Sequence, residues 1–448
     1  MNTPICDFIK KYSDSGVIRA HMPGHKGKSQ LGFEKFDITE VDGADSLYLA
    51  NGIIKESEEN ATSLFGSGKT LYSTEGSSQC IRAILHLAKM YAVSQGKKDK
   101  MYVLATKNAH SSFISSSILS DFEIEWIIGD ASNYLNGKIE PEKIEKSLSC
   151  VDILPFAVFI TSPDYLGNIC DIKGISKVCK KYNVPLIVDN AHGSYLKFLD
   201  KSEHPLDLGA TMCCDSAHKT LPVLTGGAYL HISKDAPSFF SENAKSALML
   251  FGSTSPSYLT LCSLDNANIY INDGFGEKLT ALSAKADAMK MELQNGGYTL
   301  LGDEKLKLTI DAKKYGYLGS EIYEILYNQG IICEFYDSDY IVMMISPENS
   351  EKELNAIKNA LLSIPQKSAI LDTPPIFLPC EVAFSPRSAH FMEREKISIE
   401  NANGRVLASL NISCPPAVSI ISCGERFNCS TVELCKYYGL KECYVIKE

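Results

Sequence analysis

The sequence predicts an α/β fold with a mostly parallel central sheet. Between about residues 60 and 235, short apolar runs of strand length alternate with amphipathic stretches that have helical spacing. This alternation is typical of parallel strands joined by crossover helices. The apolar runs are far shorter than the roughly 20 residues that a membrane-spanning helix needs. We therefore expect a globular protein with no membrane contact.

The predicted strands and helices follow from the spacing of apolar residues. Apolar residues at Ile81, Ile84, Leu85, Ala88 and Tyr91 recur at helical spacing in "SQCIRAILHLAKMYAVSQGKK", and "DIKGISKVCKKYNVP" repeats this pattern more briefly. Both stretches are predicted as crossover helices. The predicted strands, in chain order, are "MYVLAT", "EIEWIIG", "AVFITS", "VPLIVD", "LGATMCC" and "AYLHI".

The pattern changes after residue 240, where "NANIYINDGFGEKLTALSAKADAMKMELQNGG" predicts one long helix. Short strands and helices mix from about residue 295, and the proline-rich "PQKSAILDTPPIFLPC" is typical of a linker. We therefore predict an amino-terminal segment (1–50), a large domain (51–290), a small α/β domain (291–370) and a carboxy-terminal α+β domain (381–448).

Composition and charge exclude several classes of function. The 448 residues carry a formal net charge of −10, which argues against nucleic acid as a partner and is compatible with a cationic small molecule. The fifteen cysteines include no CxxC pair, so buried thiols are favoured over disulfides, and no metal site is predicted. The amino terminus lacks the apolar core of a signal peptide, and a cytoplasmic location is expected.

Two glycine-containing segments are candidates for binding phosphate. "FGSGKT" at 65–70 resembles a P-loop, but Ser63 stands where that motif requires its first glycine, so this site is rejected. In "STEGSSQCIRAIL", Gly76 allows a turn, and Ser77 and Ser78 open a helix whose free N–H groups would attract an anion. An ordinary helix cap explains the same residues, and their context must decide.

Two neighbouring strand ends provide that context. Asp189 ends "VPLIVD", and Lys219 follows "LGATMCC" closely, so a carboxylate and an amine lie at the edge where α/β proteins bind ligands. Lysine, aspartate and a helix-bound phosphate together are the parts that pyridoxal phosphate uses: the lysine holds the aldehyde and the aspartate keeps the ring nitrogen protonated. His110, after "YVLAT", is a candidate for stacking on the ring.

At this point the motifs resemble those of the Orn/Lys/Arg decarboxylase family, whose members are fold-type-I pyridoxal-phosphate enzymes. The resemblance rests on "HMPGHKG", "DITEVDGADSLY", "GSS", "NAHSS", "TSPDYLGNICDI", "VDNAHG", "SAHKTLPVLTGGAYLH" and "STSPSYLTLCSLD", which span roughly residues 20 to 270 in family order. The tail from "FSPRSAHF" through "CGERF" is similar to the family's carboxy-terminal domain. At this length the chain resembles the compact bacterial type without a wing domain.

The resemblance implies a role for each matching residue. Lys219 would be the Schiff-base lysine, Asp189 the partner of the ring nitrogen and His110 the stacking residue. Ser253 or Thr254 would reach the phosphate of a neighbouring subunit, which implies a homodimer. The other implied cofactor-binding residues are Ser77, Ser78, Ala191, His192, Ser216 and His218.

The implied activity is decarboxylation of arginine, lysine or ornithine to a polyamine-type amine. Lys219 and His218 are both candidates for returning a proton to Cα. Two departures from the family pattern bear on substrate choice, namely Asn190 in place of glutamate and "PPAVSII" near the end. Glu425, in "CGE", lies in the region where the family recognises the distal end of its amino acid.

Two rival functions use the same cofactor. An aminotransferase or lyase would hold the substrate carboxylate with an arginine, and Arg387, Arg405 and Arg426 all lie in the last predicted domain. A catalytically silent relative with a regulatory role would retain the cofactor site and lose turnover.

Overall fold

The computed structural model describes residues 1–129, 136–414 and 418–448. The first residues of the divergent "PPAVSII" stretch, 415–417, lie outside the described residues. The helices are α1 (Pro4–Asp14), α2 (Ile53–Phe65), α3 (Gly76–Ser94), α4 (Ser111–Ser120), α5 (Pro141–Ser149), α6 (Ile172–Lys181), α7 (Ala217–Thr220), α8 (Ser238–Leu250), α9 (Tyr258–Asn272), α10 (Phe275–Asn295), α11 (Gly319–Tyr327), α12 (Glu351–Leu362), α13 (Pro386–His390) and α14 (Cys429–Tyr437).

The strands divide into a main group, β1 to β7, and a later group in the last third of the chain. They are β1 (Lys69–Ser73), β2 (Tyr102–Thr106), β3 (Glu123–Ile127), β4 (Ala157–Thr161), β5 (Leu186–Asp189), β6 (Met212–Asp215), β7 (Ala228–Ile232), β8 (Thr299–Leu301), β9 (Lys307–Asp311), β10 (Phe335–Tyr336), β11 (Tyr340–Met344), β12 (Glu381–Val382), β13 (Arg394–Ser398), β14 (Asn411–Cys414), β15 (Val418–Ser422), β16 (Glu425–Arg426) and β17 (Glu442–Ile446).

The chain divides into two compact units. The first comprises Met1–Asp99, Phe156–Val158 and Cys179–Glu277, and the second comprises Lys100–Pro155, Phe159–Val178 and Lys278–Glu448. The domain limits predicted from the sequence stay a prediction.

The first unit contains the strand order β1-β7-β6-β5. Strands β5 and β6 are parallel, while β7 runs antiparallel to both β6 and β1. Helix α3 packs against β1, β6, β7 and α8, and helix α2 packs against β1 and α9. The strand cores are mostly apolar runs such as "LIVD" and "AYLHI", in which every residue is buried, as expected for a sheet covered on both faces.

The predicted α/β class and the predicted strands are confirmed, with two differences of detail. "GKT" of the rejected P-loop segment begins at Gly68, and Lys69 and Thr70 open β1 rather than a helix. The single long helix predicted after residue 265 is instead two helices, α9 and α10, because the chain turns at Gly274 with φ +84°.

The second unit contains the parallel pair β2 and β3 and a separate antiparallel sheet in the order β10-β11-β9-β8. Its core joins residues from both sides of the proline-rich stretch, among them Val342, Ile420 and Phe427. The stretch itself has neither helix nor strand, yet Phe377 within it is buried in this core. Across the described residues, no helix combines the length and the apolar character needed to cross a bilayer.

Candidate active site

Two strand ends in the first unit carry the predicted carboxylate and amine. Asp189 is the last residue of β5 and lies opposite Cys214 of β6 in parallel register. Strand β6 ends at Asp215, and Ser216 then occupies the N-cap position of the short helix α7, which contains Lys219. Because parallel strands end at the same edge of a sheet, this topology brings both predicted residues to one edge.

The Lys219 amine has a defined neighbour. Its Nζ lies 3.0 Å from Nε2 of His192, whose side chain is buried. The Lys219 backbone N–H donates to the Ser216 carbonyl at 3.0 Å, which fixes the point from which the side chain leaves the backbone. The structure thus brings together Lys219 and His192, which the sequence assigned to one site.

Asp189 is almost fully buried and carries few hydrogen bonds. Its Oδ1 accepts from the Ala191 N–H at 3.2 Å and from Cys214 Sγ at 3.7 Å. Burial raises the pKa of Asp189 to about 6, although the nearby Lys219 charge opposes the shift. A desolvated carboxylate of this kind is stabilised by a cationic partner, such as a protonated ring nitrogen.

The predicted anion site lies where α3 begins. Ser77, in the first turn of this 19-residue helix, receives a 2.8 Å hydrogen bond from the Ser216 hydroxyl, so two of the serines predicted to bind the cofactor are adjacent. Ser78 follows in the same turn and is half-buried. A long helix presents free N–H groups and a positive dipole at this end, which suits a phosphate.

The glycine pair after Lys219 has a structural reason. Gly226 has φ +96°, and a Cβ there would lie 2.8 Å from the Thr74 carbonyl oxygen. The Gly226 carbonyl also accepts from the Gly76 N–H at 2.7 Å. Both the backbone N–H of His218 and its Nδ1 contact the Gly227 carbonyl, at 3.2 and 2.9 Å. The pair therefore fastens α7 to the turn that precedes α3.

Ser253 and Thr254 are exposed and lie in the segment before α9. The Ser253 N–H donates to the carboxylate of Glu75, the residue that precedes α3. Glu75 is exposed as well. In its own chain, this segment therefore lies next to the helix start that forms the predicted phosphate site.

His110 and Glu425 belong to the second unit. His110 caps α4, and its Nδ1 accepts from the Ser112 N–H at 3.2 Å. Glu425 is buried, and both of its carboxylate oxygens lie 2.6 Å from the Lys107 Nζ. The Glu425 carboxylate is therefore already paired within the protein, and Lys107 is a functional candidate that sequence reasoning missed.

A second cluster missed by sequence reasoning surrounds Asp215. His204, Asp215 and His231 are fully buried and lie close together, although 27 residues separate the first from the last. The sequence offers no signal for this cluster, since the three residues share no spacing motif and come together only when β6 and β7 pair.

The residues of the first unit fit pyridoxal phosphate. The amine of Lys219, the buried carboxylate of Asp189 and the serine hydroxyls at the start of α3 correspond to the aldehyde, the ring nitrogen and the phosphate of this cofactor. The fit rests on the donor set of these side chains and on the burial of Asp189, which needs a cationic partner.

Comparison with known proteins is consistent with this fit. Residues 3–313 match the model of the family described as "Orn/Lys/Arg decarboxylase, major domain". The chain is 27% identical to arginine decarboxylases of Halalkalibacterium halodurans and Bacillus subtilis strain 168, with 94% of this chain and 90% and 91% of those proteins covered.

Solved structures share the fold. The constitutive lysine decarboxylase of E. coli matches with a TM-score of 0.77 and 18% identity, covering 100% of this chain and 82% of that one. The lysine decarboxylase LdcF of Francisella novicida matches with a TM-score of 0.81 and 16% identity, covering 99% and 81%. The protein therefore has the fold-type-I architecture, belongs to the Orn/Lys/Arg decarboxylase family and is a pyridoxal-phosphate-dependent amino acid decarboxylase.

Proposed function

We propose that this chain decarboxylates a basic amino acid, with arginine, lysine and ornithine as the candidate substrates. The observation that carries the proposal is the placement of Asp189 and Lys219 at the ends of adjacent strands, with His192 3.0 Å from the lysine amine. The arginine decarboxylases among the relatives support a basic substrate, and arginine is the first to test.

The residues proposed to hold the cofactor come from the site geometry together with the family resemblance. Lys219 would bind the aldehyde carbon, Asp189 the ring nitrogen and His110 one face of the ring. The remaining contacts would come from Ser77, Ser78, Ala191, His192, Ser216, His218 and Thr254. When bound, pyridoxal phosphate acts as an electron sink that allows carbon dioxide to leave from Cα.

Proton transfer falls to groups of this chain. His218 donates from Nδ1 to the Gly227 carbonyl, which leaves Nε2 as its basic nitrogen. His192 Nε2 contacts the Lys219 amine and can exchange a proton with it. We propose Lys219 as the donor that returns a proton to Cα, with His192 holding its amine, and His218 as the alternative donor.

The aminotransferase alternative needs an arginine for the substrate carboxylate. Arg405 Nη2 donates to Glu395 at 2.6 Å, Arg426 Nε donates to Glu381 at 3.0 Å, and Arg387 Nη1 donates to the Ile118 carbonyl at 2.8 Å. Each of these guanidinium groups is thus engaged with the protein. These contacts favour decarboxylation, in which a tightly paired substrate carboxylate would resist leaving.

A decarboxylase of basic amino acids also needs a group that binds the distal end of its substrate. Glu425 is the residue expected for this role, and its pairing with Lys107 means that a cationic substrate would have to compete for the carboxylate. We further propose a homodimer, a cytoplasmic location and a role in making polyamine-type amines, on the basis of the family resemblance.

The test is turnover by the purified protein loaded with pyridoxal phosphate. We expect release of carbon dioxide and the matching amine from one of arginine, lysine or ornithine, and loss of both in Lys219→Ala. Amino-group transfer to pyruvate without gas would overturn the proposal in favour of an aminotransferase. Cofactor binding without turnover of any of the three amino acids would also overturn it and favour a silent relative.

A further inference from the structure

Asp215 is a buried carboxylate directly behind the two strand ends of the active site. Its Oδ1 accepts from the Asn190 side-chain amide at 2.7 Å. Its Oδ2 lies 3.1 Å from His204 Nε2 and 3.3 Å from His231 Nε2. All four side chains are fully buried.

The contacts of the two imidazoles orient both rings toward Asp215. His204 Nδ1 accepts from the Leu206 N–H at 3.4 Å, so the ring proton is on Nε2 and points to Asp215. His231 Nδ1 pairs with the Thr70 hydroxyl at 2.8 Å, and burial lowers the pKa of His231 despite the neighbouring carboxylate. Each imidazole therefore turns its Nε2 toward the Asp215 carboxylate.

Asp215 is ionised in this surrounding. Burial by itself would raise the pKa of Asp215, but His204 and His231 outweigh it and hold this pKa well below its ordinary value. The carboxylate is thus charged throughout the range in which an enzyme of this kind works.

The same contacts argue against a metal ion between these residues. A histidine that binds a metal normally donates its other ring N–H to an acceptor, whereas His204 Nδ1 accepts from a backbone N–H. The ring of Phe65 packs against both imidazoles, with centroid distances of 5.7 Å to His204 and 4.5 Å to His231. We therefore interpret the cluster as a hydrogen-bond network.

The register of the strands places this network behind the site. Asp189 pairs with Cys214, and their side chains are in contact at 3.7 Å on one face of the sheet. Since side chains alternate along a strand, the next residues, Asn190 and Asp215, lie on the opposite face, where they bond to each other. The hydrogen bond from Asn190 to Asp215 therefore connects the residue after Asp189 to the residue before Ser216.

We propose that Asp215 is a positioning residue: it ties the Asp189 and Lys219 strand ends together and supplies a buried negative charge that favours the protonated state of the cofactor ring. This inference rests on the roles proposed for Asp189 and Lys219. In support, the charge of Asp215 raises the pKa of Asp189, in addition to the larger effect of burial.

The titratable and charged groups that face Asp215 come from each element packed around it. They are Asp189 on β5, Cys213 on β6, Tyr229 and His231 on β7, Cys80 on α3 and His204 before β6. Lys197 and Asp207, paired with each other at 2.7 Å, act on the two imidazoles. Among these groups, Asp189 is the active-site carboxylate on which a change of charge at Asp215 acts directly.

The experiment compares the visible absorbance of the bound cofactor over pH in wild type and Asp215→Asn. Removing a negative charge destabilises a protonated cationic cofactor, so we expect the midpoint of the titration to move to lower pH by about 0.5 to 1 unit. Asp215→Glu keeps the charge and should keep the midpoint, even if its melting temperature falls.

Asp265→Asn is the matched control. Asp265 is also fully buried in the first unit, where it accepts from Ser57 and from the Ile5 and Cys6 N–H groups. Its loss should lower stability without moving the absorbance midpoint. A midpoint in Asp215→Asn within about 0.2 unit of wild type, or an equal shift in Asp265→Asn, would overturn the inference.

A further variant covers the case in which Asp215→Asn does not fold. Asn190→Ala removes the hydrogen bond between the strand ends but keeps the Asp215 carboxylate. We expect kcat to fall about tenfold with KM unchanged. An unchanged kcat would overturn the inference that this hydrogen bond positions the two strand ends. The absorbance titration needs no turnover. If no amino acid is decarboxylated, the proposed function fails while the electrostatic effect of Asp215 is still measured.

Discussion

Asp189 illustrates how burial at a single residue prepares a site for a cationic partner. In a cofactor-free chain its carboxyl is 3% exposed and has a pKa of about 6, against an ordinary value of 3.8. The folded state therefore binds this proton more tightly than the unfolded state does. The contribution of Asp189 to stability is fully present below pH 3.8 and is lost as the pH rises through 6.

The charged form of Asp189 therefore destabilises the cofactor-free protein more at neutral pH than at acidic pH. Converting the two pKa values gives a penalty of ~3 kcal/mol for the charged form at neutral pH and about half of that at pH 5. In urea unfolding of the cofactor-free protein, Asp189→Asn should therefore gain stability relative to wild type by ~1 kcal/mol more at pH 7.5 than at pH 5. Asp235→Asn, at an exposed carboxylate, is the control, and an equal difference at both pH values would contradict the prediction.

Lys107 and Glu425 form a buried ion pair that can stabilise the fold, bind substrate, or do both. The side chains of Lys107 and Glu425 are 7% and 3% exposed, and the amine lies 4.5 Å from the centre of the Trp126 ring. The Ser422 N–H also donates to the Glu425 carboxylate at 2.6 Å. Removing one partner of a buried ion pair lowers the free energy of unfolding strongly. Replacing both partners with apolar residues of similar size changes it much less.

We predict that Glu425→Gln lowers the free energy of unfolding by ~3 kcal/mol, because it leaves the Lys107 amine buried without a counter-charge. The double variant Lys107→Met, Glu425→Leu should recover most of that loss. Glu351→Gln, which breaks the exposed pair with Lys285, should change stability little. If Glu425 also binds substrate, the double variant will be stable and still have a raised KM. Unchanged stability in Glu425→Gln would contradict the structural role.

At the scale of elements, two cysteines join the amino-terminal helix to the body of the first unit. Cys6 on α1 and Cys262 on α9 have their Sγ atoms 2.7 Å apart, and Cys6 Sγ donates to the Cys262 carbonyl at 3.1 Å. The hydrogen bond from Cys6 lowers the pKa of Cys262, which favours its reactive thiolate. Asp265 accepts from the Ile5 and Cys6 N–H groups and holds α1 in place.

Hydrogen peroxide should therefore convert Cys6 and Cys262 to a disulfide. The Cys262 thiolate attacks a peroxide oxygen and displaces hydroxide, which takes up a proton from solvent and becomes water. Cys6 then displaces a second water from the resulting sulfenic acid, so two thiols are oxidised as one peroxide is reduced. Peptide mapping without reductant should detect the linked peptides, and the melting temperature should rise. Cys6→Ser should abolish both effects. Cys429→Ser, at an exposed thiol, should abolish neither. A peptide map of the oxidised wild type without the linked peptides would contradict the prediction.

Elements with continuous apolar runs were predictable, while their directions and partners were not. "AYLHI" was recognised as a strand because all five residues are apolar or aromatic apart from His231, yet nothing local shows that β7 runs antiparallel to its neighbours. Strand β1 escaped notice because it opens with Lys69 and Thr70, whose polar side chains obscure the pattern.

The candidate site likewise contains residues that the sequence could predict and contacts that it could not. Lys219 and Asp189 could be placed from strand ends alone, because a parallel sheet collects such residues at one edge. The pairing of Lys107 with Glu425 and the cluster at Asp215 could not, since these contacts join residues up to 318 positions apart and depend on tertiary packing. The substitution of asparagine for glutamate at position 190 gains a reason only in the structure, where its amide binds Asp215.

For the whole molecule, the open question is whether one chain completes a site by itself. The family resemblance implies that Ser253 and Thr254 reach the phosphate of a neighbouring subunit. Both residues are exposed in the single chain, as a segment that serves a second copy would be before assembly. We therefore expect sedimentation velocity to give the mass of a dimer or of a multiple of it.

Hybrid dimers test whether the sites are shared. Lys219→Ala removes the covalent anchor, and the double change Ser253→Asp, Thr254→Asp places carboxylates where the partner's phosphate would lie, so each homodimer should be inactive. In a mixture that has exchanged subunits, half of the dimers are hybrids. If each site takes Lys219 from one chain and Thr254 from the other, one site in every hybrid is intact, and about a quarter of wild-type activity returns. If each chain builds its own site, no hybrid has an intact site and no activity returns.

Mixing Lys219→Ala with Asp189→Asn is the control, because both changes lie at the strand ends of the same chain's site. A hybrid of these two variants has one damaged residue in each site under either arrangement and should stay inactive.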